Sequence, residues 1–243
     1  MKIILSPSKT QNRKKLTSSK QTMLLNEDKT RKLFDILNRY SRSEIKKLMK
    51  VKNILLDETY DMYQINPEKV LSKKAIKLYQ GVAFEQIKTD TYNHSQTSYL
   101  DNHLFILSAM YGAIKANSYI SPYRLDMTMK PNGINLYDYW QEDMSELFKD
   151  EDYIINLASK EFSKMLKPLK DKLITIDFKD ENMDGKLRTI SYNAKKARGE
   201  MVHQLTLHLV NDIEKIKSLV VNDYQFNDAL SSKSNLIFVK KHQ

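Results

Sequence analysis

Lys2-Ile3-Ile4-Leu5-Ser6-Pro7-Ser8-Lys9 opens the chain and sets the terms for its fold. Three apolar residues in succession describe a short buried strand. Pro7 closes it, because proline offers no ladder donor and restricts the residue before it. Similar runs recur at Leu104-Phe105-Ile106-Leu107, Tyr153-Ile154-Ile155-Asn156-Leu157, Leu173-Ile174-Thr175-Ile176-Asp177-Phe178 and Leu236-Ile237-Phe238-Val239. Asp184-Gly185 marks a turn, so Leu187 to Tyr192 is expected to form a hairpin with the 173–178 strand.

Helical spacing fills the intervals. Residues 28–40 carry Leu33, Phe34, Ile36, Leu37 and Tyr40. Ser41 or Ser43 can cap a following helix with Ile45, Leu48 and Met49 on one face. Another helix runs through Ile54, Leu55, Tyr60 and Tyr63 to Asn66-Pro67, and the spacing resumes from Glu68 to Tyr79, stopping at Gly81. Ala109 to Ala113 reads as one helical turn. Asn135 can cap a helix through Phe148, and Ser159 a short one ending at Pro168. The last long helix is expected from near Ala194, with Met201, Leu205, Leu209 and Ile213 on one side. Strands and helices interleave without regular βα alternation. The expectation is an α+β fold, a mixed β-sheet flanked by helices. It forms one domain over residues 1–243, with a helical, Lys-rich subregion at about 28–80.

Composition removes several functional classes. The 243 residues include no Cys, which excludes disulfide scaffolds, zinc ribbons and thiol peroxidases. Neither GxGxxG nor GxxxxGK[ST] occurs among the five glycines. No apolar run approaches the roughly 18 residues of a membrane helix. Met1 to Thr10 lacks the apolar core of a signal peptide, so a cytoplasmic location and no membrane partner are expected. The histidines are His94, His103, His203, His208 and His242. None has ligand spacing, and no metal or cofactor is expected, although spacing leaves a carboxylate site for Mg²⁺ open.

The net charge of +10 is unevenly placed. Residues 1–52 hold 15 Lys and Arg against four acids, leaving 25 basic and 26 acidic residues in the rest of the chain. Such asymmetry points to a polyanion partner, with a merely solvated basic surface as the plain alternative. Ser43 to Lys52 puts Ile45, Leu48 and Met49 on one helical face, so Lys46, Lys47, Lys50 and Lys52 lie away from the core. A helix, a tight bend and a second helix, with lysines at the bend, can track a duplex through its phosphates. A helix-hairpin-helix module normally carries glycine there; this bend reads Val51-Lys52-Asn53.

A second set of cations is scattered. Ser6-Pro7-Ser8-Lys9 matches S-x-x-K but follows a strand, and its partner motifs are absent, so a loop lysine facing an anion is the better reading. Tyr192 to Gly199 holds Lys195, Lys196 and Arg198 where a strand passes into a helix, and three cations with helix-start amides suit an anion. An exposed first helical turn is the competing reading. Arg124 sits in Pro122-Tyr123-Arg124-Leu125-Asp126, where a structural pair with Asp126 is the alternative to ligand binding.

Together these segments resemble the YaaA family of peroxide-stress proteins. The likeness rests on Ile4 to Thr10, Leu107-Ser108-Ala109-Met110-Tyr111-Gly112, Pro122 to Met127, Leu136-Tyr137-Asp138-Tyr139-Trp140, Asn156-Leu157-Ala158-Ser159, Tyr192 to Gly199 and Tyr224-Gln225-Phe226. Lys115-Ala116-Asn117-Ser118 and Asp223-Tyr224 depart from the family pattern. The resemblance implies a cytoplasmic bacterial protein that limits oxidative damage by keeping free iron low. It also implies an α+β fold with a helix-hairpin-helix-like element near the N-terminus, and binding of double-stranded DNA. Its motifs gather Ser6, Lys9, Tyr111, Arg124, Asn156, Ser159, Lys195, Lys196 and Arg198, a set rich in cations and hydroxyls and poor in metal ligands. If these converge, they suit a phosphate or carboxylate better than iron. Two expectations follow. One is a DNA-binding stress protein using the lysine bend. The other is an enzyme or sensor for a small anionic ligand (phosphorylated, nucleoside-like or carboxylate), with Lys9 or Lys195, if buried, available as base or nucleophile.

Overall fold

Three neighbouring strands, β1 (Lys2–Leu5), β3 (Leu104–Ser108) and β6 (Ile154–Leu157), form the centre of the sheet. Nearly every one of their side chains is buried. That is why they read as continuous apolar runs: parallel strands covered on both faces have no solvent side to alternate with. β7 (Leu173–Glu181) alternates instead, burying Ile174, Ile176, Phe178 and Asp180. The structure, a computed structural model, describes residues 1–14, 16–17, 22–64 and 71–241.

β10 (Asn235–Lys240) runs parallel to β7, continuing the parallel set β3, β1, β6 and β7. β4 (Gly112–Lys115) and β9 (Gln225–Phe226) are antiparallel edges, and β8 (Leu187–Arg188) pairs with β7. The eight-stranded sheet thus has the order β4-β3-β1-β6-β7-β10-β9, with β8 off that path. Counted along the chain, the five parallel strands lie in the order 2-1-3-4-5. The chain leaves β1 toward β3, then crosses back to β6 on β1's other side, so a switch point falls between β1 and β6. A two-stranded sheet of β2 (Lys73–Lys74) and β5 (Tyr119–Ile120) stands apart.

Around the mixed sheet lie α1 (Glu27–Asn38), α2 (Arg42–Met49), α3 (Asn53–Tyr63), α4 (Ala75–Leu78) and α5 (Val82–Gln86). The chain continues through α6 (His94–His103), α7 (Leu136–Leu147), α8 (Lys160–Ser163), α9 (Ser191–Leu207) and α10 (Ile213–Lys217). Several caps are those read from the sequence. Ser41 caps α2 in a capping box with Glu44, and Asn135 caps α7 by accepting from Tyr137 N. The Leu136–Trp140 motif serves packing: Trp140 is fully buried and donates from Nε1 to Ala109 O at 3.0 Å. Gly112, at φ +74, is needed beneath it, since a Cβ there would lie 2.9 Å from the Trp140 ring.

Four local expectations are corrected. Ala109 to Tyr111 is the turn of the β3–β4 hairpin, not a helical turn. The 187–192 strand is only two residues long, because α9 begins at Ser191 rather than near Ala194. That helix ends at Leu207; Leu209 lies beyond it at φ +50, and Ile213 starts α10. In place of a helix to Tyr79, the chain forms β2 and the single turn of α4, held by Ala75 N donating to Ser118 O at 2.7 Å. The expected stop at Asn66-Pro67 and the start of the 68–79 helix lie outside the described residues.

Candidate functional site: a cation-lined cleft at the sheet's switch point

A cleft of about 400 Å³ opens at the carboxyl ends of β1 and β6. Leu5 and Leu157, the last residues of the two strands, line it together with Ser6 and Ser159 just beyond them. Ser6 Oγ accepts from Ser159 N at 2.8 Å and donates to Ser159 Oγ at 3.2 Å, tying the two ends together. Pockets in parallel sheets form at this place because the crossovers depart in opposite directions and leave a crevice between them.

Among the described residues, four cations reach the cleft from three parts of the chain: Lys9, Arg124, Lys195 and Arg198. Lys9 is engaged, pairing with Asp126 Oδ2 at 2.7 Å. Asp126, the alternative structural partner for Arg124 in the sequence, is paired with Lys9. Both Lys9 and Lys195 are exposed, so neither is set up as a desolvated base or nucleophile.

Arg124 is held by its backbone. The fully buried hydroxyl of Tyr63 accepts from Arg124 N at 2.9 Å and donates to Arg124 O at 2.8 Å. Tyr123 accepts at its hydroxyl from Ser108 Oγ at 2.8 Å, shares a 2.8 Å bond with Tyr79 OH, and its N–H donates to Gln11 Oε1 at 3.0 Å. Tyr111 OH donates to Ser121 O at 3.0 Å and accepts from Ser121 N at 3.2 Å. Burial raises the pKa of all four tyrosines, Tyr123 to about 12, so they act as neutral donors and acceptors. Their hydrogen bonds hold the 121–126 loop in place over the cleft.

Lys195 and Arg198 come from α9. They are three apart, about one helical turn, so they share a face. Gly199 decides how close that face comes: a Cβ on it would lie 1.9 Å from Ala83 O, so only glycine lets α9 press against α5. The start of α9 is anchored by Asn193 Nδ2, which donates to Asp180 Oδ1 at 2.9 Å, as does Tyr224 OH.

Among the described residues, the side chains of Arg124, Lys195 and Arg198 make no hydrogen bond or ion pair. The Nε atoms of Arg124 and Arg198 are buried without a partner, and so is Glu161 Oε1. Burial pulls the Arg198 guanidinium below its usual pKa, with Asp177 offsetting part of the effect. Buried polar atoms are almost always satisfied, so three orphans in one cleft single it out.

Three residues of the sequence-derived set do not line the cleft. Tyr111 is fully buried, with its hydroxyl taken up by Ser121. Asn156 is turned to structure, donating to Thr175 Oγ1 and accepting from Ala158 N, each at 3.0 Å. Lys196 is exposed and turned about 100° around α9 from Lys195. The anion site expected at the first turn of α9 is likewise displaced, because the helix begins earlier and its cations sit on the second turn. Sequence reasoning missed Glu161, Phe162 and the Gln80-Gly81-Val82-Ala83-Phe84 segment. Gly81, at φ +107 with Ser8 Oγ 3.1 Å from where a Cβ would sit, was the one available signal.

The lysine bend is a separate surface. Arg42 pairs with Asp57, lies 3.5 Å from Asp61 and sits over the Tyr60 ring, closing α2 and α3 into a helical hairpin. Lys46, Lys47, Lys50 and Lys52 surround a shallow hollow at its tip. Lys50 takes the left-handed conformation at φ +52 where glycine would be usual.

These features define an α+β protein with a mixed sheet, a cation-lined cleft at the sheet's switch point and a basic helical hairpin as a second cationic surface. The family model described as peroxide stress protein YaaA matches residues 1–230, and the chain belongs to that family. Its relatives include a UPF0246 protein of Fusobacterium nucleatum, 38% identical over the whole of both chains. Others come from Rickettsia felis, 37% identical over 99% of this chain and all of that one, and Francisella philomiragia, 35% identical with the same coverage.

Proposed function

We propose that the protein serves in the peroxide-stress response by binding a small anionic ligand, bearing a phosphate or carboxylate, in the switch-point cleft. It acts there as an enzyme or a sensor. The observation that carries this reading is the convergence of Arg124, Lys195 and Arg198, unpaired among the described residues, with both buried Nε atoms lacking acceptors. A guanidinium offers forked donors to a phosphate or carboxylate, and its charge does not titrate away. Lowering of free iron would follow indirectly in the cytoplasm. Among the described residues no group of three or more His and acidic residues is placed to hold a metal, and no helix is long and apolar enough to cross a membrane. Thermal shift with phosphate, pyrophosphate and citrate tests the reading, since a ligand that binds only the native state raises stability. Arg124→Ala with Arg198→Ala is expected to abolish the shift; an unchanged shift would refute the assignment.

A second reading concerns the hairpin tip, where Lys46, Lys47, Lys50 and Lys52 are unpaired among the described residues. We infer that it docks on the backbone of double-stranded DNA with little sequence preference. Duplex affinity should then fall with salt, with a log–log slope near −0.9 for each neutralised phosphate. No binding near physiological salt would end this reading.

A further inference from the structure

The cleft is not a purely cationic site: among the described residues that line it, Glu161 is an unpaired acid, and it narrows what the cleft takes. Glu161 lines it along with Arg124, Lys195 and Arg198, and its Oε1 is buried with no donor. A carboxylate in an anion site repels the anion, so its presence needs a different partner. Among the described residues that line the cleft, three unpaired cations against one unpaired carboxylate leave a surplus of two positive charges, which suits the charge of about −2 on a phosphate monoester; Asp177, which acts on Arg198, lies outside that lining. The lining also holds the apolar side chains Phe84, Leu125 and Phe162, beside the polar Ser8, Gln11 and Gln80. A volume of about 400 Å³ is within the range for ligands larger than a bare anion.

We propose that the cleft's ligand is a nucleoside monophosphate. The phosphate lies against Arg124 and Arg198, the base against the apolar side chains, and a hydroxyl or amino group of the nucleoside donates to Glu161. Each orphaned atom then gains the partner that its chemistry requires: acceptors for the two guanidiniums and a donor for the carboxylate. The proposal rests on the anion-cleft reading above and specifies its ligand.

Isothermal titration with inorganic phosphate, ribose 5-phosphate and the four common ribonucleoside 5′-monophosphates, on the full chain and on Glu161→Met, tests it. On the native chain at least one nucleoside monophosphate should bind about tenfold or more tightly than phosphate or ribose 5-phosphate. Glu161→Met should move the two ligand types in opposite directions. Phosphate binding tightens because a repelling charge is gone, and nucleotide binding weakens about tenfold because its donor is left unpaired. If Glu161→Met does not fold, as judged by its melting curve, Glu161→Gln keeps the shape and should show the same opposed signs with smaller size. Nucleotides binding no more tightly than phosphate, or strengthening together with it in the variants, would overturn this proposal while leaving the anion cleft standing. Binding of none of these anions by the native chain would overturn both.

Discussion

The cleft and the hairpin tip both gather cations, but they are assembled in opposite ways. The tip takes Lys46, Lys47, Lys50 and Lys52 from one continuous stretch and leaves them at the surface. The cleft brings Lys9, Arg124, Lys195 and Arg198 from three distant segments, and two of its guanidiniums have buried, unsatisfied nitrogens. The first kind of site shows in a charge profile and costs the fold almost nothing. The second is invisible in net charge and depends on the whole sheet, on the tyrosines behind Arg124 and on one glycine. A site held together by the fold suits a small ligand of defined shape; an exposed tip suits a long, uniform polyanion.

The contrast predicts that perturbing the scaffold damages the cleft and not the lysine tip. Gly199→Val drives side-chain atoms into the Ala83 carbonyl, and should destabilise by about 3 kcal/mol or more in chemical denaturation. Next in size, Tyr63→Phe leaves the Arg124 amide and carbonyl without their shared partner. It should lose about 1–3 kcal/mol and weaken anion binding in the thermal-shift assay, with duplex binding unchanged. Arg198→Met sharpens the distinction by its sign. It should raise the thermal midpoint, because a desolvated unpaired charge is removed, while abolishing anion binding. A purely structural arginine would lower the midpoint instead. Lys46→Glu, Lys47→Glu and Lys50→Glu together should leave stability within about 0.5 kcal/mol and flatten the salt dependence of duplex binding, by about 0.9 in slope for each phosphate no longer neutralised.

The smallest effect is a pH dependence belonging to neither region. Burial lowers the pKa of His203, which shares a 2.7 Å bond with Tyr92 OH, and also that of His103. Protonation therefore favours the unfolded chain. Stability is complete above the ordinary imidazole value of 6.5 and should fall as pH drops through the lower folded values. His203→Gln should reduce that fall in acid titrations followed by circular dichroism.

Most of the sheet was legible because its central strands are buried on both faces and stand out as unbroken apolar runs. Their order was not, since nothing local to Ile3 or Ile155 records which neighbour each pairs with. The cleft was legible in part. Ser6, Lys9, Arg124, Ser159, Lys195 and Arg198 come together, whereas Lys196 is separated from Lys195 by helical geometry alone. Tyr111 and Asn156 looked like site groups because both are polar, yet neighbouring structure consumes their hydrogen bonds. Glu161 drew no notice, for a single acid between Lys160 and Phe162 looks like any solvated helix start. Only its burial in a cleft with unpaired arginines gives it meaning.

If the cleft and the tip are independent anion surfaces, one exchange experiment separates them. Phosphate and duplex DNA are titrated, at a single salt concentration, into Arg124→Ala/Arg198→Ala and into Lys46→Glu/Lys47→Glu/Lys50→Glu. The first variant should lose phosphate and keep the duplex, and the second should do the reverse. Loss of both ligands in either correctly folded variant would contradict that independence.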